Sequence, residues 1–455
     1  MTIYALSTPP GRAGIAVIRM SGKASRNALY ELCHGRLPAP RVASFRRLRH
    51  PRTTEVLDQA LVLWLPGPAS FTGEDVAELH VHGGRAVVAG VMDALAALGL
   101  RLAEPGEFTM RAFGNGKIDL TEAEGLADLI NAETAYQRRQ ALAQHCGALR
   151  GHYELWRATL VRAMAHVEAS LDFSDEADIA ETSFREAVPQ VRRLLGELEH
   201  ALADGRRGEI VREGILVAIA GPPNVGKSSL LNALAGREAA IVFHEPGTTR
   251  DVIEAALDLD GFPFVFRDTA GLRETESPVE QEGIRRALAS VMEADIVLLM
   301  HDASAPDMFV RLESLPLLAG SRGGLSGARR QRTIAVFNKI DIASPSPSLV
   351  TGDALLISAK TGEGLDALKT ALVQFAGESY GGGETPLITR VRHRQEIERV
   401  RSALLEFLGS AEANEDAELG AEHLREAAGA LGRLTGRLDV EDVLGQIFSE
   451  FCIGK

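Results

Sequence analysis

The sequence predicts a multidomain chain of α/β plus α class: an α+β N-terminal domain, a helical domain, and a doubly wound α/β domain with a P-loop inserted between two helical stretches. Three observations carry that expectation. Residues 1 to about 118 mix strand-like runs with one helical pattern, and apolar residues then recur at helical spacing on both sides of residues 210–378. Between those helical stretches an apolar run, Ile215–Ala220, enters the glycine-rich turn Gly221-Pro-Pro-Asn-Val-Gly-Lys-Ser228 and leaves it as the helix-prone Ser229-Leu-Leu-Asn-Ala-Leu-Ala235. The expected segments are 1–118 (N-terminal), 119–209 (helical, first part), 210–378 (inserted) and 379–455 (helical, second part).

Composition narrows the class. At 455 residues the chain can hold two to four domains, and 45% hydrophobic with 24% charged residues is ordinary for a globular protein. No apolar run approaches the ~20 residues of a membrane span, and Met1-Thr-Ile-Tyr-Ala5 lacks the features of a signal peptide, so a cytoplasmic protein is expected, with no membrane partner. Cys33, Cys146 and Cys452 are too few and too scattered for a disulfide framework or a CxxC metal site. A net charge of −13 argues against nonspecific coating of nucleic acid, so any RNA contact has to come from a local basic patch or from a partner.

In the N-terminal domain, Gly14-Ile-Ala-Val-Ile-Arg-Met20 and Gln59-Ala-Leu-Val-Leu-Trp-Leu65 read as strands and Val87–Leu98 as a helix, with Pro66-Gly-Pro68 and Glu104-Pro-Gly106 as breaks. Glu78-Leu-His-Val-His82 alternates polar and apolar residues, which places Glu78, His80 and His82 on one strand face. Either a metal site or a solvated, ligand-facing polar face fits, and the lack of further ligands at suitable spacing favours the second.

From Leu120 the period changes. Leu126, Ile130, Leu155, Leu160, Met164, Val167 and Leu171 recur mostly at three- to five-residue intervals, with few breakers between Glu122 and Asp172, so long helices are expected. A charged helix, Phe184–Ala203, leads through Asp204-Gly-Arg-Arg-Gly208 into the inserted domain, and Gly381-Gly-Gly383 marks the way out. Helical spacing resumes at Ile397, Val400, Leu404 and Leu408, then at Leu424, Leu431 and Leu434, then at Val440, Val443, Leu444, Ile447 and Phe451. This second stretch has no obvious core of its own, so it is expected to pack with residues 120–205; a separate C-terminal domain is the alternative.

The inserted domain carries the chemistry. A buried strand that runs through a glycine-rich turn into a helix leaves N–H groups free at the helix N-terminus, and these can surround phosphate oxygens. Gly221 and Gly226 allow close approach, Lys227 can reach β- and γ-phosphates, and the Ser228 hydroxyl suits Mg²⁺. An ordinary glycine-rich turn is the bland alternative, but further stretches follow in order. Phe264-Val-Phe-Arg-Asp-Thr-Ala-Gly271 reads as a strand ending in Asp268, which can hold Mg²⁺ through water, and in Gly271, whose N–H can sense a γ-phosphate. Pro246-Gly-Thr-Thr-Arg-Asp251 reads as a loop whose Thr249 hydroxyl completes the Mg²⁺ shell. Asn338-Lys-Ile-Asp341 follows the strand Ile334–Phe337, and the Asp341 carboxylate can accept from the N1–H and 2-amino groups of guanine, donors that adenine lacks. Ser358-Ala-Lys360, after the apolar run Ala354–Ile357, would support the base from the other side. The expected GTP contacts are therefore Asn224, Val225, Gly226, Lys227, Ser228, Ser229, Gly247, Thr248, Thr249, Asp268, Thr269, Ala270, Gly271, Asn338, Lys339, Asp341, Ser358, Ala359 and Lys360.

The hydrolytic residue departs from the Ras pattern, in which a glutamine after the Asp-Thr-Ala-Gly turn orients the attacking water. Here that position is Leu272, so another polar group must orient water, with Glu274, Glu276, Glu280 and Glu282 downstream. Asn224 could help to hold a monovalent cation beside the phosphates or could simply form the turn.

These residues resemble the tRNA modification GTPases of the MnmE/TrmE type, which act on the wobble uridine. The resemblance runs over nearly the whole chain, through Thr8-Pro-Pro-Gly-Arg12, Phe71-Thr-Gly-Glu-Asp75, Glu104-Pro-Gly-Glu-Phe108, the GTPase motifs and the terminal Phe451-Cys-Ile-Gly-Lys455. It implies a folate-binding-like N-terminal domain that forms a homodimer, and a flavin-dependent partner protein in a heterotetramer that acts on tRNA. It implies Glu280 as the catalytic glutamate. Mg²⁺ would lie on Ser228 and Thr249, and K⁺ on Asn224, Phe243, Glu245 and Thr248, although Pro246 restricts the potassium loop. It further implies a site for 5-formyl-tetrahydrofolate or a related one-carbon folate at Arg19, Glu78, Lys117 and Lys455. Cys452 is placed for chemistry beside that site or is a small buried side chain. The product would carry an aminomethyl-type or carboxymethylaminomethyl group at carbon 5 of the uridine. A regulatory GTPase switch in ribosome assembly is the second reading, although switches of that class usually carry a basic RNA-binding module.

Overall fold

Two sheets organise the chain, one alternating in its burial and one buried on both faces. The computed structural model describes residues 1–172, 177–204, 206–237, 240–241, 254–268, 289–305, 331–343, 354–382, 385–412, 417–438, 441–449, 451 and 453–454. They divide into a first unit of Met1–Ile130, Gln144–Val191 and Ser402–Lys455 and a second of Asn131–Ala143 and Arg192–Arg401. No described helix is long and apolar enough to cross a membrane.

The first unit holds strands β1 (Ile3–Leu6), β2 (Ala13–Ser21), β3 (Ser44–Arg49), β4 (Val56–Leu65), β5 (Val76–Gly83) and β6 (Arg101–Leu102). Their order is β3-β4-β5-β2-β1-β6, antiparallel throughout except for β1 beside β6. Period-2 patterning decides which face is covered: Ala77, Leu79 and Val81 of β5 are buried, and Glu78, His80 and His82 point the other way. Helices Ser25–Leu32 and Arg85–Ala97 cover the apolar face, their Leu29, Leu32, Val91 and Leu95 joining Ile18, Met20, Val62 and Leu79 in one core. Each such side chain contributes about 1.5–3 kcal/mol by leaving water.

In the same unit, helix Ala417–Thr435 packs along helix Ala148–Asp172; Arg425 meets Glu168 across the pair and Arg437, just past the helix end, meets Glu154, both at 2.6 Å. The helices expected from Leu120 to Asp172 are three, Leu120–Ile130, Ala135–His145 and Ala148–Asp172, the middle one belonging mostly to the second unit. Local capping explains the breaks. Thr134 Oγ1 accepts from the Gln137 N–H while Gln137 Oε1 accepts from the Thr134 N–H, and Gly147 takes the left-handed φ of 89° that ends the second helix. Cys33 is buried, which pushes its thiol up to about 11, and Cys146 is exposed; both are free.

The second unit holds β7 (Ile215–Ala220), β8 (Ala240–Ile241), β9 (Glu254–Leu259), β10 (Phe262–Asp268), β11 (Ile296–Asp302), β12 (Arg332–Asn338) and β13 (Leu355–Leu356). The order is β13-β12-β11-β7-β10-β9-β8; β13, β12, β11, β7 and β10 are parallel, and β9 and β8 complete an antiparallel edge. All six residues of β7 are buried, as expected for a central parallel strand covered on both faces. Ile215, Val217 and Ile219 pack with Leu230, Leu234 and Leu368, whereas Leu216, Ala218 and Ala220 pack with Ala294, Val297 and Leu299. Because β10 and β11 flank β7 on opposite sides, the carboxyl end of β7 is a switch point, where loops diverge and a ligand crevice opens.

Candidate functional site

Three loops meet at the carboxyl edge of the parallel sheet. The first follows β7: Asn224 takes a left-handed φ of 63° and Gly226 a φ of 99°, and helix Lys227–Arg237 starts at once. Glycine at 226 is required by what lies above it, since a Cβ there would sit 2.3 Å from Asn338 Nδ2. The Lys227 side chain is buried and its Nζ donates to the carbonyls of Gly221 at 2.9 Å and Pro222 at 3.1 Å, so the ammonium is held within the loop. Ser228 and Ser229 are exposed on the first turn of that helix.

The second and third loops follow β12 and β13, and Asn338 joins all three. Its Nδ2 donates to the Val225 carbonyl at 2.7 Å, and its Oδ1 accepts from the Ala359 N–H at 2.9 Å. Ser358 is fully buried, and its hydroxyl donates to Asp341 Oδ1 at 2.7 Å, which fixes the carboxylate at the rim. Lys339 adopts a left-handed φ of 69° and its Nζ donates to Asp302 Oδ2 at 2.5 Å. Burial raises the Asp302 carboxyl, but hydrogen bonds from Lys339 and Ser304 outweigh it and hold the group below the usual carboxylate range. Lys360 is exposed beside Ala359. Asp302 is absent from the sequence reading; its signal is the end of the apolar run Ile296–Met300, which pairs in register with β12.

Asp268 ends β10 opposite Ile219 of β7, on the same sheet edge. Phe243, Glu245, Gly247, Thr248, Thr249, Thr269, Ala270, Gly271 and Glu280 lie outside the described residues, as do Cys452 and Lys455. Such a set of loops can bind a nucleoside triphosphate: a cationic, N–H-lined cradle for phosphates and a carboxylate acceptor at the base end.

A second polar cluster lies on the outer face of the first unit's sheet. Arg19 and Glu78 face each other in register between β2 and β5, with Arg19 Nε to Glu78 Oε1 at 2.9 Å and the guanidinium over the Phe108 ring. His80 Nε2 lies 3.3 Å from Glu78 Oε2, whereas the His82 ring meets Asp58 at 2.8 Å, so the two histidines are drawn to different carboxylates. Lys117 is exposed, its methylenes near Gly73. The chain's end joins this unit: Ile453 bridges Pro105, and the Gly454 carbonyl accepts from Ser7 Oγ at 3.0 Å.

Two family models together match nearly the whole chain. The family model described as "MnmE helical domain" matches residues 120–452, and that described as "GTP-binding protein TrmE N-terminus" matches residues 2–117. A "tRNA modification GTPase MnmE" from Parvibaculum lavamentivorans is 52% identical over 455 residues, covering 100% of each chain. A protein of the same name from Paramagnetospirillum magneticum is 50% identical over 456 residues, with 100% and 99% covered. The human mitochondrial "5-taurinomethyluridine-[tRNA] synthase subunit GTPB3" is 50% identical over 462 residues, 100% of this chain and 93% of that one.

Proposed function

Since the chain belongs to the MnmE family of tRNA modification GTPases, we propose that it binds and hydrolyses GTP between β7 and helix Lys227–Arg237 as the GTPase subunit of a complex that modifies carbon 5 of the wobble uridine. The observation that carries this reading is that Asn338 donates to the Val225 carbonyl and accepts from the Ala359 N–H, which fastens the phosphate cradle to the base-side loop. The full-length match to tRNA modification GTPases leaves the ribosome-assembly alternative without support.

In this proposal the backbone N–H groups of residues 224–229 surround the phosphates, and Lys227 exchanges its loop carbonyls for β- and γ-phosphate oxygens. Asp341, held by Ser358, accepts from the guanine edge. Ser228 and Thr249 would hold Mg²⁺, which offsets charge on the phosphate oxygens when bound. Asn224, Phe243, Glu245 and Thr248 would hold K⁺, and Glu280 would orient the attacking water. The family resemblance further supports a one-carbon folate at Arg19, Glu78, Lys117 and Lys455, a homodimer, and a flavin-dependent partner.

Titration calorimetry of the full chain should show binding of GTP with Mg²⁺ and at least about a hundredfold weaker binding of ATP, which lacks the donors that Asp341 accepts. Equal affinities would end the guanine reading. The hydrolytic assignments have their own check: Glu280→Ala should slow turnover with nucleotide affinity nearly intact, and turnover should be faster in K⁺ than in Na⁺ at equal ionic strength. Unchanged turnover in the variant would remove Glu280, and equal rates in the two salts would remove the potassium site.

A further inference from the structure

The chain's charge is distributed unevenly. Residues 32–54 hold Arg36, Arg41, Arg46, Arg47, Arg49 and Arg52 with no aspartate or glutamate, inside a protein whose net charge is −13. The fold gathers these arginines along one border, because β3 is the outermost strand of the first unit's sheet. Arg41 precedes β3, Arg46, Arg47 and Arg49 lie on it, and Arg52 sits in the turn to β4. At a rise of ~3.3 Å per residue the strand alone presents about 20 Å of cationic edge.

What sets these arginines apart is that they lie together in a segment that holds no acidic residue of its own. Among the described residues none of the six meets a carboxylate; the side chains of Arg41, Arg46, Arg49 and Arg52 donate to the backbone carbonyls of Ala69, Arg36, Phe45, Thr54 and Ala97. Arg19, Arg101, Arg111 and Arg150 of the same unit each pair with a glutamate. Beside Arg47 and Arg49 on the outer face stands Phe45, 62% exposed and paired across the strands with Leu61, 48% exposed. Unpaired guanidinium groups flanking an open aromatic side chain are the chemistry that holds a phosphate backbone and stacks on an unpaired base. A second copy of this chain is a poor occupant, because antiparallel pairing of β3 with itself would set arginine against arginine.

We propose that the β3 edge is the protein's RNA-binding surface, contacting tRNA phosphates through these arginines and an unstacked base or ribose through Phe45. The proposal rests on the tRNA-modifying reading above and locates where the RNA would be held. Such contacts release counterions, so they are read in the salt dependence of binding.

The test is fluorescence anisotropy of labelled unmodified tRNA with the full-length protein across a salt series. It compares wild type with the triple variant Arg36→Gln, Arg47→Gln, Arg52→Gln and with the matching triple lysine variant. The expected result is a Kd at least about tenfold weaker for the glutamine variant, a salt slope shallower by roughly two, near wild-type binding for the lysine variant, and unchanged GTP hydrolysis in both. Unchanged Kd and slope would overturn the proposal, as would an altered dimer state in sedimentation with RNA affinity intact, which would make the edge a contact between copies. If wild type hydrolyses GTP yet binds no tRNA, only this surface falls; if it does neither, the underlying reading falls as well.

Discussion

Asn338 and Asp341 divide the work of one short loop. The asparagine is spent inside the protein, since Nδ2 and Oδ1 are both engaged by backbone, while the aspartate is held by Ser358 at one oxygen and stays exposed at the rim. Reading Asp341 as the guanine acceptor needs only the sequence, because donor and acceptor patterns follow from residue type. The role of Asn338 is invisible there, since it depends on two loops more than a hundred residues away from, and about twenty residues beyond, its own position. The division makes a sharp prediction. Asp341→Asn replaces a carboxylate acceptor with an amide that also donates, so GTP affinity should fall roughly ten- to hundredfold, the worth of a hydrogen bond to a charged group. Xanthosine triphosphate, which offers a carbonyl where guanine has its 2-amino group, should be bound better by the variant than by wild type. Competition binding with the two nucleotides measures both, and an unaltered preference would mean that Asp341 does not touch the base.

Elements were legible where a single period ran far enough. β7 and helix Lys227–Arg237 follow from an apolar run, a glycine turn and helical spacing, and the burial of β7 on both faces agrees with an unbroken apolar run in a parallel sheet. The helical stretch after Leu120 was less legible, because apolar spacing continues across the breaks at 131–134 and 146–147. The interruption is written in polar side chains instead. Asp119-Leu-Thr-Glu122 and Thr134-Ala-Tyr-Gln137 are both capping boxes, in which each side chain serves the other's backbone N–H, with Asp119 Oδ1 to the Glu122 N–H at 2.8 Å and Glu122 Oε2 to the Asp119 N–H at 2.7 Å. Thr134→Ala should therefore cost the second unit about 1 kcal/mol, seen as a drop of a few degrees in its unfolding transition. Thr134→Ser, which keeps the hydroxyl, should restore most of it. A loss of equal size in both variants would assign the effect to packing of the threonine methyl.

At the scale of the molecule the two chain ends belong to one unit, and residues 192–401 belong to the other. That the inserted segment is flanked by helices of matching period was readable; what joins the ends was not, since the partners are 447 residues apart in the case of Ser7 and Gly454. The junction has three parts. Phe451 is buried with Ile447 and Phe448 against Leu120, Ala123 and Ala127, Ile453 bridges Pro105, and Gly454 holds a left-handed φ of 96° where a Cβ would lie 2.6 Å from the Leu6 carbonyl. Most of the energy should lie in Phe451, because a buried aromatic ring outweighs one hydrogen bond. Phe451→Ala is expected to destabilise the first unit by about 3 kcal/mol, lowering its calorimetric transition by on the order of 10 °C. Ser7→Ala, which removes one partly exposed hydrogen bond, should cost no more than about 1 kcal/mol. Neither residue lies in the second unit, so GTP affinity should stay within about twofold of wild type in both variants. A fall in GTP affinity matching the loss of stability would show that the two units do not hold their structures independently, and the nucleotide site would then have to be treated as part of a single cooperative fold.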